Sequence, residues 1–178
     1  MIQLDSNVSA KLEQVRTIIF DVDGVLTDGG LIYDENGQEF KRFHARDGHG
    51  MKMLQEAGVA IAIITGRKSP VVTNRCAELG IAHVHQGCHD KAAAFESLAM
   101  ELQLNPKQFA YLGDDVVDLP VMCRVGAPLA VADAHERVRR NACWVSRFNG
   151  GHGAAREACE LIMHAQGTLE AALSVYEK

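Results

Sequence analysis

The sequence has no apolar run of the roughly 18 residues that a membrane-spanning helix needs, and its first residues are polar and mixed in charge, unlike a signal peptide. It also has no excess of basic residues, since 18 Lys and Arg stand against 23 Asp and Glu and give a net charge of −5. Nucleic-acid-binding surfaces need clustered Lys and Arg, and here these residues are scattered. We therefore expect a soluble, cytoplasmic protein that binds neither nucleic acid nor membrane.

Paired cysteine motifs are absent too. The five cysteines are odd in number and include no CxxC pair, so we expect reduced thiols. His83, His85, Cys88 and His89 do lie within one short stretch, and imidazole and thiolate are common zinc ligands. No second group of such ligands accompanies them, so a structural role is favoured over a zinc site and their function stays open.

What the sequence does contain is an alternation of strand and helix patterns along 178 residues, a length typical of one domain, 1–178. Short β-branched apolar runs predict strands at 17–20, 59–64, 82–85, 109–112, 128–131 and 143–145. Helical patterns fill the intervals 47–58, 70–80, 90–103 and 115–124. Alternation of this kind predicts an α/β fold, a three-layer α/β/α sandwich with a mainly parallel, Rossmann-like sheet.

Two segments depart from the alternation. A β-hairpin is predicted at 31–43, because Asn36-Gly37 is a strong turn signal between two apolar runs. The segment 149–178 is Gly-rich at its start and then helical to about 165, with a short last helix from 168. Since glycine permits several backbone conformations, we expect 150–153 to act as a mobile gate in this C-terminal tail.

The most informative segment is an apolar strand that ends in Asp21 and Asp23. Side chains two residues apart in an extended chain share one face, so two ionised carboxylates would repel each other. A bound cation relieves that repulsion, and the pair can then supply a nucleophile and a proton donor. The other interpretation is that both residues only cap a turn before Gly24, as Asp and Gly often do.

Three further groups follow predicted strands, at the strand ends where open α/β sheets bind ligands. Thr65, Gly66 and Arg67 offer a hydroxyl, a backbone N–H and a guanidinium to a phosphate. Lys91 begins a helix, where the helix dipole disfavours a cation and so indicates an anionic partner. The last group supplies carboxylates suited to magnesium, or to capping a helix, and comprises Asp114, Asp115 and Asp118.

In this order, the four groups resemble the haloacid dehalogenase superfamily of phosphohydrolases over about residues 17–131. The resemblance implies that Asp21 is the nucleophile that forms an aspartyl-phosphate and that Asp23 is the general acid and base. Thr65 would bind phosphate, and Lys91 would steady both nucleophile and phosphoryl group. Magnesium would be held by Asp21, the backbone carbonyl of Asp23 and Asp114, supported by Asp115 and Asp118. An ion-pump ATPase would carry Lys-Thr-Gly-Thr after its nucleophile, and this chain does not.

Only the hairpin separates Asp23 from the next predicted helix, so no cap domain is expected. Motifs at 21–29, 43–50, 86–91 and 150–154 resemble a capless, homotetrameric branch of the superfamily that hydrolyses an eight-carbon sugar-acid phosphate in lipopolysaccharide synthesis. In that branch neighbouring hairpins and the tail complete the site. The implied substrate-binding residues are Asp23, His44, Ala45, Arg46, Asp47, Gly48, Lys52, Thr65, Gly66, Arg67, Arg75 and Lys91. Two alternatives remain, a phosphatase of a nine-carbon sialic-acid-type 9-phosphate and a non-catalytic regulatory protein on the same fold.

Overall fold

A parallel sheet of six strands forms the centre of the structure, a computed structural model that describes residues 4–177. The strands are β1 (Thr17–Phe20), β4 (Ala60–Thr65), β5 (His83–Gln86), β6 (Phe109–Gly113), β7 (Ala127–Ala130) and β8 (Trp144–Val145). They lie in the order β5-β4-β1-β6-β7-β8, and every neighbouring pair is parallel. All six predicted strands are confirmed with boundaries within one residue, and so is the α/β fold class.

The predicted hairpin is also present, outside the main sheet, as β2 (Ile32–Tyr33) and β3 (Glu39–Phe40). Gly37 adopts φ 79° in its turn, a conformation that favours glycine. Four apolar side chains of this segment remain about half exposed, which is unusual for a ribbon of two short strands. These side chains are Leu31, Ile32, Tyr33 and Phe40.

Eight helices cover the sheet in the described part of the chain. They are α1 (Ser6–Glu13), α2 (Ala45–Glu56), α3 (Pro70–Leu79), α4 (Lys91–Leu102), α5 (Leu119–Met122), α6 (Glu136–Asn141), α7 (Ala154–Ala165) and α8 (Leu169–Ser174). The sequence pattern did not predict α1 and α6, which are short and bury only Leu12 and Val138. No helix within residues 4–177 combines the length and apolar character required to cross a bilayer.

Two groups of helices pack on the sheet and give the three layers. α2 packs along α7, which also contacts α1, whereas α4 and α6 both pack against α5. Between the layers, β1 and β6 are buried along their whole length, as expected for parallel strands covered on both faces. α3 shows how local chemistry sets helix bounds: the Ser69 hydroxyl caps its first turn, and Gly80 ends it with φ 69°.

The C-terminal segment packs closely against the rest of the fold. α7 buries eight residues, and seven of them, including Leu161, Ile162 and Met163, belong to the hydrophobic core. Before it, Gly151 donates its backbone N–H to the carbonyl of Val25 over 2.9 Å. A Cβ atom at Gly150 would lie 1.8 Å from the carbonyl oxygen of Gly24. The glycines therefore permit close packing of two backbones in this conformation, and the expectation that 150–153 acts as a mobile gate stays a prediction.

The register of the central strands brings the predicted catalytic groups together. Phe20 lies opposite Ile63 on β4 and Leu112 on β6. Asp21 directly follows β1, Thr65 ends β4 and Asp114 directly follows β6, so all three lie at the carboxyl edge of the sheet. Parallel strands place such residues side by side although they are far apart in sequence.

Candidate active site

A buried ion-pair network stands at the centre of this edge. The Lys91 ammonium lies 2.9 Å from Oδ2 of Asp21 and 2.7 Å from Oδ1 of Asp118. Burial alone lowers the pKa of Lys91, but the charges of the two carboxylates outweigh it and raise that pKa. Lys91 is therefore a fixed positive charge beside Asp21.

Asp118 is held by four hydrogen bonds. Its Oδ1 accepts from Lys91 and from the hydroxyl of Tyr111 at 2.6 Å, while its Oδ2 accepts from the backbone N–H groups of Asp114 at 2.9 Å and Asp115 at 3.2 Å. Because both oxygens are occupied, Asp118 orients Lys91 and the β6 loop. Tyr111 is fully buried. Its role was not identified from the sequence, because nothing in the pattern of an apolar strand shows that the hydroxyl of one aromatic residue donates a hydrogen bond to a site residue.

Two carboxylate oxygens at the same place lack partners. Oδ1 of Asp21 and Oδ1 of Asp114 are buried and accept no hydrogen bond. Ligand atoms of Asp21, Asp114 and Asp118 lie within 4.8 Å of one another. Burial and the neighbouring Asp118 charge raise the pKa of Asp21 to about 6 and that of Asp114 to about 8. Unpaired oxygens of this kind fit a hard divalent cation, which would pair with both.

The remaining predicted catalytic groups line one cavity of about 320 Å³ with Asp21, Lys91 and Asp114. The residues that the sequence placed there are Asp23, Thr65, Gly66, Arg67 and Asp115. Cys88 and His89, in the loop before the helix of Lys91, also line it. Arg67 contacts Asp23 with Nε 3.7 Å from Oδ2, so its guanidinium stands at the cavity mouth beside the predicted proton donor.

Other predicted substrate-binding residues line a second cavity of about 530 Å³. Ala45, Gly48, Lys52 and Arg75 surround it, and none of them lines the cavity of Asp21. The Arg75 guanidinium lies over the Phe43 ring, 5.8 Å from its centre. Gly48 leaves room for it, because a Cβ atom there would be 2.3 Å from an Arg75 nitrogen.

The last three members of the predicted set lie beside this second cavity or outside both cavities. Asp47 is buried and its Oδ1 accepts from the backbone N–H of Arg156 at 2.9 Å, so it fixes the first turn of α7. His44 lines a small crevice with Asp47, and its Nδ1 is buried without a partner. Arg46 is exposed. The structure thus separates the predicted substrate-binding residues into two groups.

The side chains of the histidine and cysteine stretch, all within the described residues, are not grouped at metal-ligand spacing. Among residues 4–177, the single cluster of His, Cys, Asp or Glu with metal-ligand spacing is the aspartate group described above. His83 instead pairs with Glu101 through Nδ1 at 3.1 Å. A structural role, which the sequence favoured, agrees with this contact for His83.

The chain is similar in sequence to known hydrolases. Residues 79–157 match the model of the haloacid dehalogenase-like hydrolases. 3-Deoxy-D-manno-octulosonate 8-phosphate phosphatase KdsC from Escherichia coli K12 is 47% identical over 95% of this chain and 90% of its own length. The chain belongs to this family. The predicted superfamily and its phosphoric monoester hydrolase activity are thereby confirmed.

Solved structures of the family share the whole fold with this chain. A probable YrbI family phosphatase from Pseudomonas syringae superposes with a TM-score of 0.96 at 50% identity, covering 98% of this chain and 99% of its own. A 3-deoxy-D-manno-octulosonate 8-phosphate phosphatase from Moraxella catarrhalis, solved with magnesium, phosphate and KDO, gives a TM-score of 0.95 at 37% identity, covering 97% and 99%. The α/β fold predicted from the sequence is therefore shared with these phosphatases.

Proposed function

We propose that this enzyme hydrolyses 3-deoxy-D-manno-octulosonate 8-phosphate to the free sugar acid and phosphate, with magnesium as cofactor, in lipopolysaccharide biosynthesis. The observation that carries the proposal is the buried Asp21–Lys91 pair next to two carboxylate oxygens without partners. The relative from Moraxella catarrhalis, solved with magnesium, phosphate and KDO, supports the same choice of ligand and substrate. The five cysteines are free thiols, which is consistent with the reducing cytoplasm where we place the enzyme.

The residues present fit a magnesium ion. Asp21 and Asp114 would hold it through their unpartnered oxygens, together with the backbone carbonyl of Asp23, while Asp118 and Asp115 support the loop. Bound magnesium supplies positive charge that offsets the repulsion between a carboxylate and a phosphate dianion. Both oxygens of Asp118 already accept hydrogen bonds from other donors. We therefore assign Asp118 to the support of Lys91 and the β6 loop and not to the metal.

The chemistry begins with the carboxylate of Asp21, which attacks phosphorus in line with the ester oxygen. Lys91, 2.9 Å from Asp21, stabilises the negative charge that gathers on the phosphoryl oxygens. Thr65 and the backbone N–H of Gly66 bind those oxygens. Asp23 gives its proton to the departing alkoxide, so that the P–O bond breaks and an aspartyl-phosphate remains. The ionised Asp23 then takes a proton from the water that hydrolyses this intermediate.

In this proposal, the second cavity forms part of the substrate site of a neighbouring copy. A sugar-acid phosphate needs a cationic contact for its carboxylate as well as the phosphoryl centre. Arg67 can provide this cationic contact from the same chain, whereas Lys52 and Arg75 line a separate cavity. In a homotetramer assembled through the half-exposed hairpins, these two residues would reach the pocket of an adjacent subunit. The exposed apolar hairpin side chains supply the surface for that assembly.

Phosphate release with a panel of substrates tests the function. The purified chain is assayed with the eight-carbon sugar acid 8-phosphate, a nine-carbon sialic-acid-type 9-phosphate and glycerol phosphate, each with magnesium and with EDTA. We expect the highest kcat/KM on the eight-carbon substrate and no turnover with EDTA. A preference for the nine-carbon substrate would transfer the assignment to that class. Inactivity on the whole panel would leave the non-catalytic alternative.

A further inference from the structure

The hairpin is joined to the catalytic cavity by a lysine that the proposed mechanism does not use. Lys41 follows β3 by one residue, and its side chain is only 1% exposed. Its ammonium pairs with Oδ1 of Asp23 and lies 3.2 Å from Oε1 of Glu39. Burying a lysine is costly unless its charge is paired, so this placement requires both acidic partners.

Glu39 connects this lysine to the loop after β4. Its Oε1 accepts from Arg67 at 3.2 Å as well as from Lys41, and its Oε2 accepts from the hydroxyl of Ser69 at the start of α3. Burial raises the pKa of Glu39, but the hydrogen bonds from Ser69 and Lys41 outweigh it, and the pKa is lowered. Glu39 is therefore an ionised acceptor shared by the hairpin and the phosphate-binding loop.

Asp23 depends on this network for its orientation. Among residues 4–177, Lys41 is the one side chain that donates a hydrogen bond to the Asp23 carboxylate, and Arg67 stands farther away at 3.7 Å. The loop itself turns at once through Gly24, with φ 86°. A carboxylate on such a loop has several rotamers, whereas proton transfer needs the group within hydrogen-bond reach of the leaving oxygen.

We propose that Lys41 is a positioning residue for the general acid: its hydrogen bond holds the Asp23 side chain in the orientation from which the Asp23 proton reaches the leaving alkoxide. Lys41 remains protonated throughout and exchanges no proton with the substrate. The inference rests on the proposed phosphatase function. It also gives the hairpin a second task, since movement of β3 would displace Lys41 and with it the proton donor.

The test compares leaving groups. An alkyl phosphate such as the sugar-acid phosphate needs a proton on its leaving oxygen, whereas p-nitrophenolate departs without one. The parameter measured is kcat/KM, because it covers only the steps up to loss of the leaving group. For Lys41→Met we expect a fall of about 10²-fold on the sugar-acid phosphate, the usual scale of general acid catalysis, and less than about fivefold on p-nitrophenyl phosphate. Lys41→Arg should restore most of the lost activity.

The matched control is Arg42→Met, next in the chain, whose exposed side chain pairs with Asp28 instead. We expect it to keep wild-type kcat/KM on both substrates. Equal losses on the two substrates in a folded Lys41→Met enzyme, or no loss on either, would overturn the proposal. An inactive wild-type enzyme would instead refute the proposed function, and the two failures are thus distinguishable.

Two structural measurements test the positioning role without an activity assay. Glu39→Gln removes the negative charge and one of the two accepting oxygens of the shared acceptor but leaves Lys41 in place, and the melting temperature of this variant reports the contribution of the network to stability. In a crystal structure of Lys41→Met we expect the Asp23 side chain in another rotamer or in two. An Asp23 side chain in its original position in that structure would overturn the positioning role without any assay.

Discussion

Gly24 lies so close to Asp114 that a Cβ atom at its position would stand 2.1 Å from Oδ2 of Asp114. The glycine also has φ 86°, in the left-handed region that other residues rarely adopt. It therefore does two things at once, turning the chain after Asp23 and leaving space for the carboxylate that we assign to magnesium. Neither the turn nor the space tolerates a side chain.

Gly24→Ala should accordingly lose both stability and metal affinity. The strained φ costs on the order of 1–3 kcal/mol, and the methyl group must displace Asp114. We expect a lower melting temperature and a magnesium dissociation constant raised by at least about tenfold, a change of 1.4 kcal/mol or more. Gly37→Ala serves as the control, because it shares the positive φ but has no atom within 4 Å of the added Cβ. Equal magnesium affinity in the two variants would contradict the spatial argument.

Asp21→Asn should abolish turnover while the fold survives. An amide cannot attack phosphorus, and its loss of charge leaves Lys91 paired with Asp118 alone. We expect kcat to fall by at least about 10³-fold, as for other nucleophile replacements. Acid quenching of a reaction with 32P-labelled substrate should trap labelled protein in the wild type and none in the variant. Label retained by Asp21→Asn would show that another group is the nucleophile.

Magnesium binding should release a proton near neutral pH. Burial and nearby carboxylates raise the pKa of Asp114 to about 8, so without metal it holds a proton over much of the neutral range. The metal binds the ionised form. We expect magnesium affinity to rise with pH up to about 8, and calorimetry in buffers of different ionisation enthalpy to show proton release at pH 7. Affinity that does not change between pH 6 and 8 would contradict this assignment.

The raised pKa of Asp114 also determines how the stability of the metal-free enzyme depends on pH. In the unfolded chain the carboxyl of Asp114 titrates near its ordinary pKa of about 3.9. Between that value and about 8 the folded protein binds more protons than the unfolded one, so its free energy of unfolding decreases as pH rises. We expect the melting temperature in EDTA to fall as pH rises from 6 to 8, and Asp114→Asn to flatten that slope.

Much of the site could be predicted because the carboxyl ends of parallel strands meet, and local patterns reveal those ends. Asp21, Thr65 and Asp114 each follow a recognisable strand, so their proximity follows from fold class alone. The roles of Tyr111 and Lys41 could not be predicted in this way. Each acts through a contact between distant segments, such as the hydrogen bond from Tyr111 to Asp118.

Glycine was an ambiguous signal. At Gly80 its place after a helical pattern predicted the helix end, and the structure agrees. At Gly150 the same permissive backbone suggested mobility, whereas the residue is buried against the loop of Gly24. A glycine permits a flexible chain and a close backbone contact equally, so the close contact at Gly150 could not be predicted from the glycine itself. Deleting 149–178 should expose core residues and yield insoluble or unfolded protein on circular dichroism, rather than a weakened enzyme.

Assembly through the hairpin gives the last prediction. Ile32 and Phe40 face each other across β2 and β3 and are 52% and 48% exposed. Two large apolar side chains left in water on a short ribbon are best explained by burial against other copies. The double variant Ile32→Ser/Phe40→Ser should shift sedimentation from a tetramer towards smaller species. Its kcat/KM on the sugar-acid phosphate should fall in parallel, because Lys52 and Arg75 would no longer reach a neighbouring pocket.

The control is Met100→Ser, at a 73% exposed apolar position on α4, which should leave both the sedimentation and the kcat/KM unchanged. A wild-type chain that sediments as a fully active monomer would refute the shared-site arrangement while leaving Asp21 and Lys91 in their roles.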